Sequence, residues 1–357
     1  MYIHHPLTPL PTEIISEIFL HYIPSYPARP LFHGDCSPTT LSQVCREWRA
    51  LAHSTAALWR AFHFFKIDTP VGQLTSARGL QQHLEMAQTW AKRAKLLPMS
   101  VALTTFRHSE DAVEAHELAL QFLVANQSRL EYLTVSLFHQ SRIQITGSMP
   151  LLRRVEVDGA VEFDFEISPP FLAPNLRSFR AEFMIISNIL HTVLPWGQLT
   201  HLYITHVSPM ALESMLRASH ALKYARVGLS SQLHQVIPSS MPPIHLNALE
   251  VFVLEERAGA RVPEVDLDPV HVRVLLAALR APNLAELAIR ELFLDKLKSI
   301  VDPFESLGCS HLRRLRVLES TRVEGDYRGE LPRIEEIVIH REANVAELES
   351  WADWAIE

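Results

Sequence analysis

Glycine and cysteine are both scarce in this sequence of 357 residues, which contains 11 glycines and three cysteines. So few glycines make phosphate-cradling loops improbable, and neither G-x-x-x-x-G-K-[ST] nor G-x-G-x-x-G occurs. The G-x-S-x-G and H-E-x-x-H motifs of hydrolases and metalloproteases are missing as well. The cysteines form no C-x-x-C pair, so no zinc motif of that kind is present. We therefore expect a non-enzymatic chain with no catalytic residues, no metal site and no cofactor.

Long apolar runs are also missing. No stretch approaches the ~18 uninterrupted apolar residues of a membrane span. The N-terminal residues show no basic region followed by an apolar run, which a secretory signal would have. We expect no membrane partner and a location in the cytoplasm, the nucleus or both.

Acidic side chains outnumber basic ones, at 40 Asp and Glu against 33 Lys and Arg, for a net charge of −7. Residues 1–100 hold nine basic and six acidic side chains, whereas residues 324–357 hold three and ten. This distribution gives no general nucleic-acid-binding surface. A DNA-recognition helix over Pro38–His53, with Arg46, Arg49 and Arg60 nearby, is a less favoured alternative, and we expect no nucleic-acid partner.

Apolar residues make up 48% of the chain and charged residues 20%, which is typical of a folded protein. The length allows two or three domains, or one long array.

The N-terminal segment shows clear helix signals. Pro11 suits the first turn of a helix, whose apolar residues recur at helical spacing until three prolines of residues 24–30 end it. Ser37 and Pro38 then predict the cap and first residue of a second helix, with an apolar stripe from Leu41 to Ala52. A short third helix is predicted after Ser54-Thr55, carrying Leu58, Trp59 and Phe62.

The residues of this segment resemble an F-box, in the form abundant in fungi. The resemblance covers about residues 8–62 and rests on L-P-x-E at Leu10, V-C-R-x-W-R at Val44 and L-W at Leu58. It departs from compact F-boxes in the proline-rich insertion of residues 24–37. The resemblance implies docking to the Skp-type adaptor of a cullin-RING ubiquitin ligase, through residues drawn from Leu10, Pro11, Ile14, Ile18, Phe19, Leu41, Val44, Cys45, Trp48, Leu58 and Trp59. The alternative for any one of these residues, above all for Val44, Cys45 and Trp48, is packing within the helical module.

The remainder of the chain repeats a short pattern, L-x-x-L-x-[VIL]. The repeats begin at Leu130, Leu152, Leu176, Leu199, Leu222, Leu246, Leu284, Leu312 and Ile334. Met99–Leu103 is predicted as a further strand, and helices are predicted over Asp111–Ala125, Met210–Ala218 and Val270–Leu279.

This pattern resembles an irregular leucine-rich repeat, which implies an α/β solenoid over residues 63–357 with a parallel concave sheet. The Asn or Cys usual three positions after the motif is absent. We expect a protruding loop over Glu255–Asp268 and a capping helix over Asn344–Glu357, rather than a separate acidic tail.

Alternation along each strand predicts which side chains leave the core. Positions 3 and 5 of each motif should line the concave face. The candidate substrate-binding residues on this face are Tyr132, Arg154, Arg180, Tyr203, Tyr224, Arg226, Arg314 and Arg316. Tyr and Arg often dominate binding surfaces, and the arginines favour an acidic or phosphorylated protein partner. The alternative is a solvated face that binds nothing.

The two resemblances together imply the substrate-recognition subunit of a cullin-RING ligase of the SCF type. In this hypothesis the helices dock to the adaptor and the repeats bind a protein substrate. The alternative is an interaction scaffold whose F-box-like helices only cap the repeat array.

Overall fold

The computed structural model describes residues 10–65, 77–104, 110–137, 143–159, 165–182, 194–229, 241–256, 269–294, 307–318, 327–329 and 331–340. The chain divides into two compact units, which we call unit 1 (residues 1–175) and unit 2 (residues 176–357). Both units contain helices and a parallel sheet, so the chain is of the mixed α/β class. None of the helices in the described ranges has the length and hydropathy needed to span a bilayer.

Unit 1 begins with short helices and continues into a parallel sheet. The helices are α1 (Thr12–Tyr22), α2 (Pro38–Val44), α3 (Arg46–Ser54), α4 (Ala77–Arg93) and α5 (Glu110–Ala125), with a 3-10 turn at Ala56–Trp59. The strands are β1 (Ala61–Phe64), β2 (Met99–Thr104), β3 (Leu130–Leu137), β4 (Ile143–Ser148), β5 (Arg154–Gly159) and β6 (Phe165–Leu172). Among the described residues of this unit, four strands form a parallel sheet in the order β1-β2-β3-β5. The strands β4 and β6 form a second parallel pair.

The described strands of unit 2 are β7 (Ser178–Glu182), β8 (His201–Val207), β9 (Tyr224–Leu229), β10 (Ile244–His245), β11 (Val251–Glu256), β12 (Leu279–Arg280), β13 (Glu286–Arg290), β14 (Arg314–Leu318) and β15 (Glu336–His340). Seven of them pair in parallel in the order β7-β8-β9-β11-β13-β14-β15. The short strands β10 and β12 form a separate parallel pair. The helices are α6 (Pro209–Ala218) and α7 (Pro269–Ala278).

The repeated motif places these strands because its apolar positions are the buried ones. Leu133 and Val135 of β3, for example, are fully buried, as are Leu315 and Val317 of β14. The three helices predicted between the strands are confirmed as α5, α6 and α7, each with a shift of one residue in its bounds. The capping helix expected over residues 344–357 and most of the loop expected over residues 255–268 lie outside the described residues, although Glu255 and Glu256 belong to β11 rather than to a loop.

Two helix predictions for the N-terminal segment need correction. Ser37 and Pro38 begin a helix as predicted, and the Ser37 hydroxyl accepts a hydrogen bond from the Thr39 amide at 3.2 Å. That helix ends at Val44, because Cys45 has extended backbone angles (φ −153°, ψ 177°), and α3 starts afresh at Arg46. The Cys45 sulfur caps α3 by accepting from the Trp48 amide at 3.4 Å.

The predicted third helix is a single 3-10 turn, and Phe62 is not part of it. Phe62 lies in β1 and pairs with Val101 of β2. The first strand of the sheet therefore follows directly on the L-W pair at Leu58. The predicted domain boundary near residue 62 falls within this strand and stays a prediction.

The register of β11 corrects one of the predicted motifs. Phe252 pairs with Ala225, which holds the fourth motif position of β9. The motif of this strand is therefore Leu249-x-x-Phe252-x-Leu254, three residues later than the one predicted at Leu246. The overlapping leucines at 246 and 249 made both registers compatible with the sequence.

His116 is expected to make the stability of unit 1 depend on pH. Burial lowers the pKa of this α5 side chain to about 4, and its ring lies 5.3 Å from that of Phe65. Between pH 6.5 and 4 the His116 imidazole binds a proton in the unfolded chain but stays neutral in the folded chain. The free energy of unfolding should therefore decrease as the pH falls through this range, by at most about 1.4 kcal/mol per pH unit.

Urea unfolding at several pH values tests this prediction. The His116→Leu variant should lose this component of the pH dependence, whereas a control at the exposed His220, His220→Leu, should keep it. Parallel pH profiles for the native chain and His116→Leu would contradict the assignment.

Candidate functional site

The helical module of unit 1 is held together by aromatic side chains. Phe19 of α1 packs against Trp48 of α3, with ring centroids 4.9 Å apart. The Trp59 indole N–H donates to the Ala52 carbonyl at 2.7 Å, and its ring lies edge-on to Trp90 of α4 at 5.3 Å. These contacts fix the helices to one another and to the helix that packs on β1.

Four residues of the predicted adaptor-binding set are therefore buried. Phe19, Leu41, Leu58 and Trp59 have almost no exposed surface, and Cys45 and Trp48 are half-buried. The four buried residues pack within the module and present almost no surface in this structure, whereas Cys45 and Trp48 keep part of their surface exposed. Amphipathic spacing in the sequence identifies an apolar stripe but does not say which part of it faces the interior.

The other five residues of that set are exposed, and we call them the exposed apolar set: Leu10, Pro11, Ile14, Ile18 and Val44. Ile14 and Ile18 are 48% and 41% exposed and lie one helical turn apart on α1. Val44, at the end of α2, is 50% exposed. The module thus buries part of its apolar side chains and leaves these five in solvent.

In unit 1 the predicted substrate-binding face carries a chain of polar contacts. We call Ser100, Tyr132, Thr134, Arg154 and Glu156, on β2, β3 and β5, the unit 1 polar face. Thr134 donates to a Glu156 carboxylate oxygen at 2.9 Å, and Arg154 lies 3.8 Å from the other oxygen of that carboxylate. Tyr132 and Arg154 are only partly exposed.

In unit 2 the same face holds a buried ion pair instead of free arginines. The Arg226 guanidinium donates to both oxygens of Glu255 at 3.3 Å, and the two side chains are 2% and 8% exposed. Tyr203 is also buried, with its ring 5.1 Å from the Arg226 guanidinium and 4.7 Å from that of Arg180. The prediction that Tyr203 and Arg226 present binding surface does not fit this burial.

The remaining predicted residues of unit 2 are more accessible. Tyr224 stacks on His201 at 4.7 Å, with its hydroxyl 3.4 Å from a Glu250 oxygen. Arg314 is half-exposed and lies 2.9 Å from both Glu286 and Glu336, which flank it on the neighbouring strands. Arg180 is partly exposed beside Glu182, and Arg316 is half-buried.

A surface depression of about 370 Å³ opens where β13, β14 and β15 begin. It is lined by Ala285, Glu286, His311, Arg313, Arg314 and Glu335. Its charges are mixed, so it shows no clear preference for an anion or a cation. Among the described residues no cluster of His, Cys, Asp and Glu is suited to hold a metal ion.

Sequence reasoning missed Tyr26 and Arg29, which contact the unit 1 polar face from the proline-rich insertion. Tyr26 donates to Glu131 at 2.8 Å and Arg29 donates to Thr134 at 3.0 Å. The prolines marked this segment as a loop, but no local pattern indicates a contact 105 residues away.

No family model matches this chain, and no curated protein is significantly similar to it.

Proposed function

We propose that this chain is a non-catalytic substrate-receptor subunit of a cullin-RING ubiquitin ligase. Its helical module docks to a Skp-type adaptor, and the sheet that follows binds a protein substrate. The observation that supports this proposal most is the exposed apolar set, together with the F-box resemblance of the segment that carries it. The proposed mechanism is proximity, because a receptor raises the concentration of substrate lysines near the ligase's charged enzyme.

The exposed apolar set suits a partner interface for a physical reason. The module buries its aromatic residues and so does not need Ile14, Ile18 or Val44 for its own core. Large apolar side chains left in water favour a partner that covers them, since their burial is favourable at about 25 cal/mol per Å². An adaptor that covers them would gain this energy without rearranging the module.

The substrate surface in this proposal is carried by the accessible arginines of unit 2. Arg180 has its guanidinium 4.7 Å from the Tyr203 ring, which holds the side chain in place while part of it faces solvent. Arg314 is similarly half-exposed. Each of these arginines already forms an ion pair, Arg180 with Glu182 and Arg314 with Glu286. A phosphorylated or acidic partner would therefore have to replace that carboxylate as the arginine's ligand.

Co-purification with a Skp-type adaptor tests the proposed function. The native chain should co-purify, and Leu10→Ala/Pro11→Ala should retain much less adaptor because both residues belong to the exposed apolar set. Leu96→Ala is the matched control, since Leu96 is 89% exposed but lies outside the module. Failure of the native chain to bind any adaptor, even at high concentration, would contradict the proposal.

One observation favours the alternative of a scaffold whose helices only cap the sheet. Trp59 packs on Trp90 of α4, and β1, which follows the module directly, pairs with β2, so the module is joined to the β1 end of the unit 1 sheet. The two roles use different residues, because the capping contacts are buried and the exposed apolar set is not. The same co-purification therefore separates them.

A further inference from the structure

The proline-rich loop of residues 23–37 lies against the unit 1 polar face. The Ser100 hydroxyl donates to the Pro27 carbonyl at 2.8 Å. The Tyr26 hydroxyl donates to Glu131 at 2.8 Å, and Arg29 donates to the Thr134 hydroxyl at 3.0 Å. Three residues within a stretch of four thus bond to two neighbouring strands, through one backbone carbonyl and two side chains.

Tyr26 is bound from both sides. Its ring lies edge-on to Tyr132 at 5.5 Å, and the Arg60 guanidinium carbon is 3.6 Å from its ring centroid. Burial and the bond to Glu131 raise the pKa of Tyr26, so its hydroxyl stays protonated and donates at any physiological pH. Glu131 also accepts from Arg153 at 3.0 Å, which fixes the carboxylate that Tyr26 meets.

Arg29 adds a charged contact three residues later. Burial lowers its pKa, whereas the nearby Glu156 favours the charged form. Thr134 links the two groups, since it accepts from Arg29 and donates to Glu156. The Glu131 carboxylate, next to this face in β3, thus accepts from the Tyr26 hydroxyl. The Thr134 hydroxyl, which is itself bonded to Glu156, accepts from the Arg29 guanidinium.

These contacts resemble those of a bound peptide more than those of a core. The hydrogen bonds come mostly from side chains, and Ser25, Ala28 and Asp35 of the loop are exposed. Phe32 is buried and packs on Trp90 at 4.9 Å, so it anchors the second half of the loop to the helical module. We propose that the unit 1 polar face binds extended segments with an aromatic residue and an arginine three positions later, and that the proline-rich loop keeps this face closed as an intramolecular ligand. The inference does not depend on adaptor docking.

A tethered ligand competes strongly with a free one, because its effective concentration is about millimolar. A partner's apparent affinity is its affinity for the uncovered face multiplied by the fraction of molecules in which the loop is displaced. Weakening the loop's own contacts should therefore strengthen binding of the same sequence supplied as a separate peptide.

The test is a fluorescence anisotropy titration with a labelled peptide of residues 23–33. The full-length Tyr26→Ala/Arg29→Ala chain should bind this peptide at least about tenfold more tightly than the native chain. A peptide with alanine at both positions should bind neither chain. Ser25→Ala/Asp35→Ala, with changes at exposed positions of the same loop, should behave like the native chain.

Equal affinity of the native chain and the double-alanine variant for the peptide would overturn the proposal. Circular dichroism shows whether the double-alanine variant is folded. If it is not, Tyr26→Phe/Arg29→Lys keeps the ring and the charge but loses the hydroxyl and the guanidinium, and should still bind the peptide more tightly than the native chain. The absence of any gain there would overturn the proposal equally. Adaptor co-purification is a separate readout, so failure of this inference is distinguishable from failure of the proposed function.

Discussion

Replacing Arg226 with alanine is expected to lower the free energy of unfolding by about 3–5 kcal/mol. The change removes a guanidinium that meets both oxygens of the buried Glu255 carboxylate. A buried charge that loses its partner keeps the cost of its desolvation without the attraction that offset it. The variant also loses the contact between this guanidinium and the Tyr203 ring. Urea or guanidinium unfolding measures the effect directly.

Arg314→Ala is the matched control for this prediction. Arg314 occupies the same face of the same sheet and meets two carboxylates, but its side chain is 51% exposed. Exposed ion pairs contribute about 0–1 kcal/mol, so this variant should remain close to native stability. A loss below 1 kcal/mol for Arg226→Ala, or equal losses for the two variants, would contradict a structural role for the Arg226–Glu255 pair.

The sequence predicted which way the strand residues point but not which of them are covered. The alternation of side chains along each strand predicted that Arg226 and Arg314 lie on the same face of the sheet. The pairing of β9, β11, β13 and β14 agrees with this prediction. Their difference in exposure depends on what else packs over each strand. That packing comes from residues distant in sequence, so no local pattern in either strand predicts it.

Helix signals succeeded where a single side chain decides the local backbone. Ser37 and Pro38 predicted the start of α2 because a cap and a fixed φ act within one turn. The break at Cys45 was not predicted, since the apolar spacing continues unchanged through it. Spacing alone does not detect one extended residue between two helices that pack against each other.

The candidate site shows the same limit. The apolar residues of the N-terminal segment were identified together, but their division into a buried core around Trp59 and an exposed apolar set required the packing of α4. The role of Tyr26 and Arg29 was missed entirely, because their partners lie on β3.

Changing Ile14 and Ile18 to glutamate is expected to reduce adaptor affinity at least about 100-fold, because the interface would have to bury two carboxylates in place of two isoleucines. Both side chains are already solvent-exposed, so the variant should keep the native fold and stability. Leu96→Glu, which adds a charge at an exposed apolar residue outside the module, should bind the adaptor as the native chain does.

Calorimetric titration of a purified Skp-type adaptor into the 357-residue chain measures adaptor docking itself. We expect a saturable complex for the native chain and for Leu96→Glu, and none at the same concentrations for a folded Ile14→Glu/Ile18→Glu variant. Unchanged affinity in that variant, or no binding by the native chain, would contradict adaptor docking through the exposed apolar set.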